Sequence, residues 1–149
     1  MRPSTVLILV LLLGSCSEKP PPAQAACVTK IETGALPVWA RAGFSGDGSG
    51  NPHVFSKNGD MLGVLFGDPL KAPPAADHGN KILWVSRLPI TTPSDFTIVA
   101  KLDGTGETVQ PEVGPAPGPS IVDLPRPGCW RLTLRWSGHE DSMDLTYSS

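Results

Sequence analysis

Prolines and glycines are scattered between short apolar runs along most of this chain, 17 and 16 of them in 149 residues. Punctuation that dense breaks helices and favours turns, because proline removes a backbone donor and glycine costs chain entropy inside any regular element. No stretch beyond residue 27 carries a convincing amphipathic helical pattern. Many short strands joined by Gly/Pro turns predict an all-β sandwich or barrel. About 120 residues from Cys27 onward suffice for one domain with one core.

The C-terminal stretch shows the period-2 pattern most clearly. In Trp130–Trp136, Trp130, Leu132, Leu134 and Trp136 share one face, while Arg131, Thr133 and Arg135 share the other. Met143, Leu145 and Tyr147 alternate in the same way with Ser142, Asp144 and Thr146. A two-residue turn at Gly138-His139 predicts Leu134 opposite Met143, Leu132 opposite Leu145, Trp130 opposite Tyr147 and Thr133 opposite Asp144. Asn58-Gly59 is a strong type I′ signal and predicts a second hairpin with Phe55 facing Leu62. The unbroken "MLGVLF" after it predicts a strand covered on both sides, and "KILWVSR" reads likewise, with Trp84 as a core anchor. Phe96, Ile98, Ala100 and Leu102 alternate inward, and after a turn at Asp103–Gly106 Val109 is expected to face Ala100. "GPAPGP" (114–119) and 72–76 read as loops or ends of edge strands. "ALPVWARAGF" (35–44) has apolar content without periodicity and is expected to cross one end of the sandwich.

The first residues read differently. Val6–Leu13 is an apolar run behind a short basic leader, and its eight residues are too few to span a bilayer, which takes about 20. It reads as an export signal. Leu13-Gly14-Ser15-Cys16 resembles the lipobox of bacterial lipoprotein precursors. The resemblance implies a signal peptide over 1–15, cleavage before Cys16, and a diacylglycerol on the Cys16 sulfur that inserts in the membrane. An alternative cut lies at Ala23-Gln24-Ala25, behind an awkwardly long and polar stretch. Residues 16–26 then form a tether. Three consecutive prolines favour polyproline II, so the ten residues after Cys16, at about 3.1 Å each, span roughly 30 Å.

In an oxidising compartment the two remaining cysteines, Cys27 and Cys129, are expected to pair. The competing reading makes them free buried thiols. Removing residues 1–15 takes away only Arg2, leaving 11 basic and 14 acidic residues and a net charge of −3. No polybasic patch supports nucleic-acid binding.

Residues 120–136 carry a wider resemblance. A strand, the corner Pro125–Gly128, the aromatic Trp130 and an alternating strand look like the closing half of immunoglobulin-like domains in bacterial envelope proteins. The whole also resembles small bacterial lipoproteins with the same Gly-Cys-Trp ending, a group that implies no activity. The resulting expectation is a single immunoglobulin-like antiparallel β-sandwich of about 7–9 strands over 27–149, with Trp130 packed beneath the turn at Gly128.

Chemistry is sparse. Asp47–Asn51 begins like a calcium loop, but Pro52 stands where an EF-hand needs glycine and Asn58 where it needs glutamate, so a flexible Gly-rich loop is expected. His53, His78 and His139 lack zinc-ligand spacing. There is no G-x-S-x-G, and Asp141 and Asp144 are expected on opposite faces of one strand. Trp39, in irregular sequence, is the candidate ligand contact, against a plainer role in packing. The expectation is a non-catalytic lipoprotein tethered to the cell envelope, without cofactor or metal, that binds another envelope protein. A glycan-binding module is the alternative, and a metal-dependent enzyme using the histidines is the third reading.

Overall fold

The computed structural model describes Cys27, residues 29–91 and residues 94–149. The expected export signal, the expected lipidation site Cys16 and the expected tether lie outside the described residues. Eight strands follow one 3-10 turn at Val38–Ala40: β1 (His53–Phe55), β2 (Met61–Leu65), β3 (Lys81–Ser86), β4 (Thr97–Leu102), β5 (Thr108–Val109), β6 (Pro119–Ile121), β7 (Gly128–Trp136) and β8 (His139–Tyr147). There is no α-helix among them. The strands form two four-stranded antiparallel sheets, ordered β1-β2-β3-β6 and β5-β4-β7-β8. Met61, Ile82 and Trp84 of the first sheet share one apolar core with Ile98, Ala100, Leu132, Leu134, Met143 and Leu145 of the second. The arrangement is sandwich-like and all-β.

The predicted inward residues of β4 are all buried, and Val109 pairs with Ala100. The β1–β2 hairpin turns at Asn58-Gly59 with Phe55 opposite Leu62 as expected, but not through a type I′ turn: Gly59 has positive φ (73°) while Asn58 does not, and Gly59 N–H donates to Ser56 O at 2.9 Å. Trp84 is buried and edge-on to Phe96, with ring centroids 5.8 Å apart. Gly63 faces this core, where an added Cβ would come within 3.3 Å of the Trp84 ring.

The C-terminal hairpin keeps its predicted faces but not its predicted pairing. Its turn is Ser137-Gly138 rather than Gly138-His139, and both residues have positive φ, 46° and 77°. A type I′ turn needs positive φ at both central positions, which suits glycine at the second one far better than histidine. The register therefore slips by two: Leu132 faces Met143, Trp130 faces Leu145, Leu134 faces Asp141, and Arg131 rather than Thr133 faces Asp144. A two-residue slip returns every side chain to its original face, so the apolar pattern does not distinguish the two pairings.

At the corner, Trp130 is fully buried and its Nε1 donates to the Arg126 carbonyl at 2.9 Å. The Tyr147 hydroxyl donates to the Val122 carbonyl at 2.7 Å, tying β8 to the segment after β6. Burial of this phenol raises its pKa above the ordinary tyrosine range, and the Asp123 charge adds to the effect.

Cys27 and Cys129 are bonded, with Cα atoms 5.4 Å apart and a sequence separation of 102. Cys129 pairs with Thr146 on the outward side of β7, the side of Arg131 and Thr133. The bond therefore fastens the start of the domain to the outer surface of the second sheet.

Candidate functional site

β2 is buried at all five positions, because both of its faces are covered. Met61 and Leu65 point into the shared core, while Leu62 and Val64 meet a second cluster with Leu36 and Ala40. Register extends this outer face across the sheet: Phe55 beside Leu62, Val85 beside Leu62, Leu83 beside Val64, and Ile121 beside Lys81. An apolar sheet face of that size must be covered or used.

Residues 33–52 supply the cover. Glu32 and His53 exchange two backbone hydrogen bonds of 2.8 Å, which bring the two ends of the segment together in the manner of an Ω-loop. Within it, Leu36 N–H donates to Asp47 O (2.9 Å), Gly50 N–H to Thr33 O (2.8 Å) and Arg41 Nε to Leu36 O (2.7 Å). The Asp47 carboxylate accepts from the Ser49 hydroxyl (2.6 Å) and N–H (3.0 Å), which holds its pKa below the ordinary aspartate range. Gly48, at φ 74°, lies against Leu36, whose Cδ1 would stand 2.6 Å from an added Cβ. The Asp47–Asn51 loop expected to be flexible is thus hydrogen-bonded and packed. The 35–44 segment lies on the outer face of the first sheet, not across one end of the sandwich. The outward Leu62, Val64, Leu83 and Val85 explain the difference, since they offer an apolar surface to bury against.

Trp39 sits within this cover. It is half-buried, packs against the second cluster, and meets Phe55 edge to face with centroids 6.5 Å apart. The side chains left open to solvent are others: Val38 at 79% exposure, and Phe66 and Ile121 at 50% each. Phe44 stacks on Phe66 at 6.2 Å, and the Lys81 ammonium lies 5.6 Å from the centre of the Phe66 ring.

The three histidines are not brought together. His53 is buried with Nδ1 2.8 Å from Asn51 O, His78 Nε2 lies 3.0 Å from Gly67 O, and His139 Nε2 lies 3.3 Å from Pro89 O. Among the described residues, no group of three or more His, Cys, Asp or Glu converges as a metal site would require. A shallow polar groove of about 400 Å³ lies at the β7–β8 turn, lined by Thr91, Asp95, Trp136, His139 and the ion-paired Arg135 and Glu140 (2.6 Å).

Asp141 has a role that the sequence reading missed. It faces inward opposite Leu134, is buried, and its carboxylate accepts from Ser56 Oγ (2.5 Å), Ser142 N–H (2.7 Å), Asn58 N–H (3.1 Å) and Asp60 N–H (3.3 Å). It thereby fastens the β1–β2 turn of one sheet to β8 of the other. The available signal was a carboxylate at an inward position of an alternating strand, which must find donors if buried. Across from Arg131, Asp144 is also buried, yet Arg131 leans toward Asp103 (3.7 Å) and leaves its own Nε and the Asp144 Oδ1 without hydrogen-bond partners.

Comparison with protein-family models, curated proteins and solved structures finds no match to this chain.

Proposed function

We propose that the chain is a non-catalytic module of the bacterial cell envelope, anchored by lipid on Cys16 and built on an immunoglobulin-like sandwich, that binds another envelope protein. The observation that carries this reading is the outer face of the first sheet, where Phe66 and Ile121 stand half-exposed beside the cover and its Val38. Apolar side chains kept in water on one face suit a protein–protein contact. The lipobox resemblance at Leu13–Cys16 supports the anchor, and the buried Trp130 beneath the Pro125–Gly128 corner supports the immunoglobulin-like assignment. Cys27, which follows the expected tether in sequence, is bonded to the outward side of β7, whereas Ile121 pairs beside Lys81 on the outer face of the first sheet and Phe66 stacks on Phe44 of the cover, which supports the reading.

The intact mass of the protein from a membrane fraction of its host is expected to show a chain beginning at Cys16 and carrying acyl groups. A photo-crosslinking residue at Phe66 is then expected to capture a partner protein in the envelope, and one at the outward Thr133 is not. A soluble chain beginning near Ala26, or equal capture from both positions, overturns the reading. The glycan alternative rests on Trp39 and requires its fluorescence to respond to a glycan and Trp39→Ala to abolish binding with the fold intact. The metal-dependent alternative requires the melting temperature to rise with added zinc or calcium.

A further inference from the structure

We infer that residues 33–52 are a lid on the apolar face of the first sheet, hinged at Glu32–His53 and latched by the Cys27–Cys129 bond. The hydrogen bonds of the segment run within it: 36 to 47, 50 to 33, 41 to 36, 51 to 48 and 49 to 47. Among the described residues, none runs from 33–50 to the sheet beneath. Among the described residues, bonds to the sheet occur at the base alone, in the Glu32–His53 pair, from His53 Nδ1 to Asn51 O and from Leu65 N–H to Pro52 O. The lid body therefore lies on β2 and β3 through apolar packing of Leu36, Trp39, Ala40 and Phe44. Such a unit opens as one piece, because its internal bonds survive opening and only the packing across the apolar seam is broken.

The position of the disulfide makes it the latch. It lies outside the main core, on the outward side of β7, and holds the short stretch that leads directly into the hinge. Among the described residues of that stretch, the Thr29 hydroxyl also ties it to the second sheet, donating to Asp144 O at 2.9 Å and lying 3.4 Å from Thr146 Oγ1. The Lys30–Glu32 ion pair is exposed and holds little. With the bond closed, Glu32 sits inside a strap fixed at both ends. With it open, Glu32 is the first residue among those described whose backbone is paired, and its pairing with His53 is no longer held from the N-terminal side by the bond.

A dithiol reductant opens the latch by thiol–disulfide exchange. The Cys27–Cys129 bond takes up two electrons and two protons to give two thiols, and the dithiol becomes a disulfide. An open lid exposes Leu62, Val64, Leu83 and Val85, enlarging the apolar surface that begins at Phe66. The opening itself depends on no particular partner, so its test is separate from that of the binding function.

The test uses the full-length protein with one probe cysteine at a time, alkylated under native conditions and read peptide by peptide so that Cys16 is scored separately. Val64→Cys lies under the lid and Ala100→Cys lies in the main core, both fully buried in the native chain. Each is placed in the disulfide-bonded chain and in a chain carrying Cys27→Ser and Cys129→Ser. Losing the latch is expected to speed alkylation at Val64→Cys about tenfold while leaving Ala100→Cys unchanged, the signature of local rather than global opening. Val85→Cys is expected to follow Val64→Cys. An unchanged rate under the lid, or an equal rise at both sites, overturns the proposal.

Discussion

The two sheets of this molecule solve the same problem in different ways. In β4 and β7 every second residue is buried and the rest face outward with threonine, lysine or arginine among them, so one face makes the core and the other meets water. In β2 all five residues are buried, because the second face carries a lid of its own. A sheet buried once is stabilised by neighbours held in its partner sheet. A face buried by a self-contained loop depends on a cover that can settle or leave. The comparison predicts that equal side-chain losses cost more between the sheets than under the lid.

Five measurements test that difference. Trp130→Ala, between the sheets and at the corner, is expected to cost about 3–5 kcal/mol, read from the denaturant midpoint. Leu132→Ala is expected to cost about 3–4 kcal/mol and Leu62→Ala about 2, because the lid can move inward over the smaller residue. Equal losses at these two fully buried leucines would remove the distinction between the clusters. Asp141→Ala leaves the donors of Ser56, Asn58, Asp60 and Ser142 without their shared acceptor and is expected to cost about 2–3 kcal/mol.

Two pH measurements separate core from lid more finely. Tyr147 is the chain's one tyrosine, so phenolate absorbance reports on it alone. Its pKa is raised by burial in the folded state, so the stabilisation is complete below the ordinary value of 10.0 and is lost as pH rises beyond it. Phenolate absorbance is expected to appear together with alkaline unfolding; a smooth titration near pH 10 in folded protein would mean that the phenol is wet. The smallest effect belongs to the lid. The pKa of Asp47 is lowered by its bonds from Ser49, so its contribution is present above the ordinary value of 3.8 and fades as pH falls through the lowered one. Asp47→Asn is expected to lower stability slightly at pH 7, and the gap to the parent chain is expected to close in acid.

Much of the fold was legible because period-2 patterns and positive-φ turns are local. Phe96 to Leu102 announced their inward face, and Asn58-Gly59 announced its hairpin. The C-terminal register was illegible from apolar pattern alone, since slips of two residues leave both faces unchanged, and the Ser137-Gly138 backbone had to decide it. The site was less legible still. Trp39 drew notice as an aromatic in irregular sequence, but side chains more exposed than its own belong to Val38, Phe66 and Ile121, and exposure depends on what the lid leaves uncovered.

Local sequence was enough to settle the all-β class, most of the strands and their inward faces. Those follow from propensity and periodicity, each of which acts over a few residues. Three features had to wait for the closed domain: the placing of 33–52 on the outer face, the four donors gathered on Asp141 and the side of the sheet on which the disulfide lies. Each joins segments far apart in the chain, and such pairings are selected by the area buried and the donors satisfied when the whole domain closes, which no local pattern records.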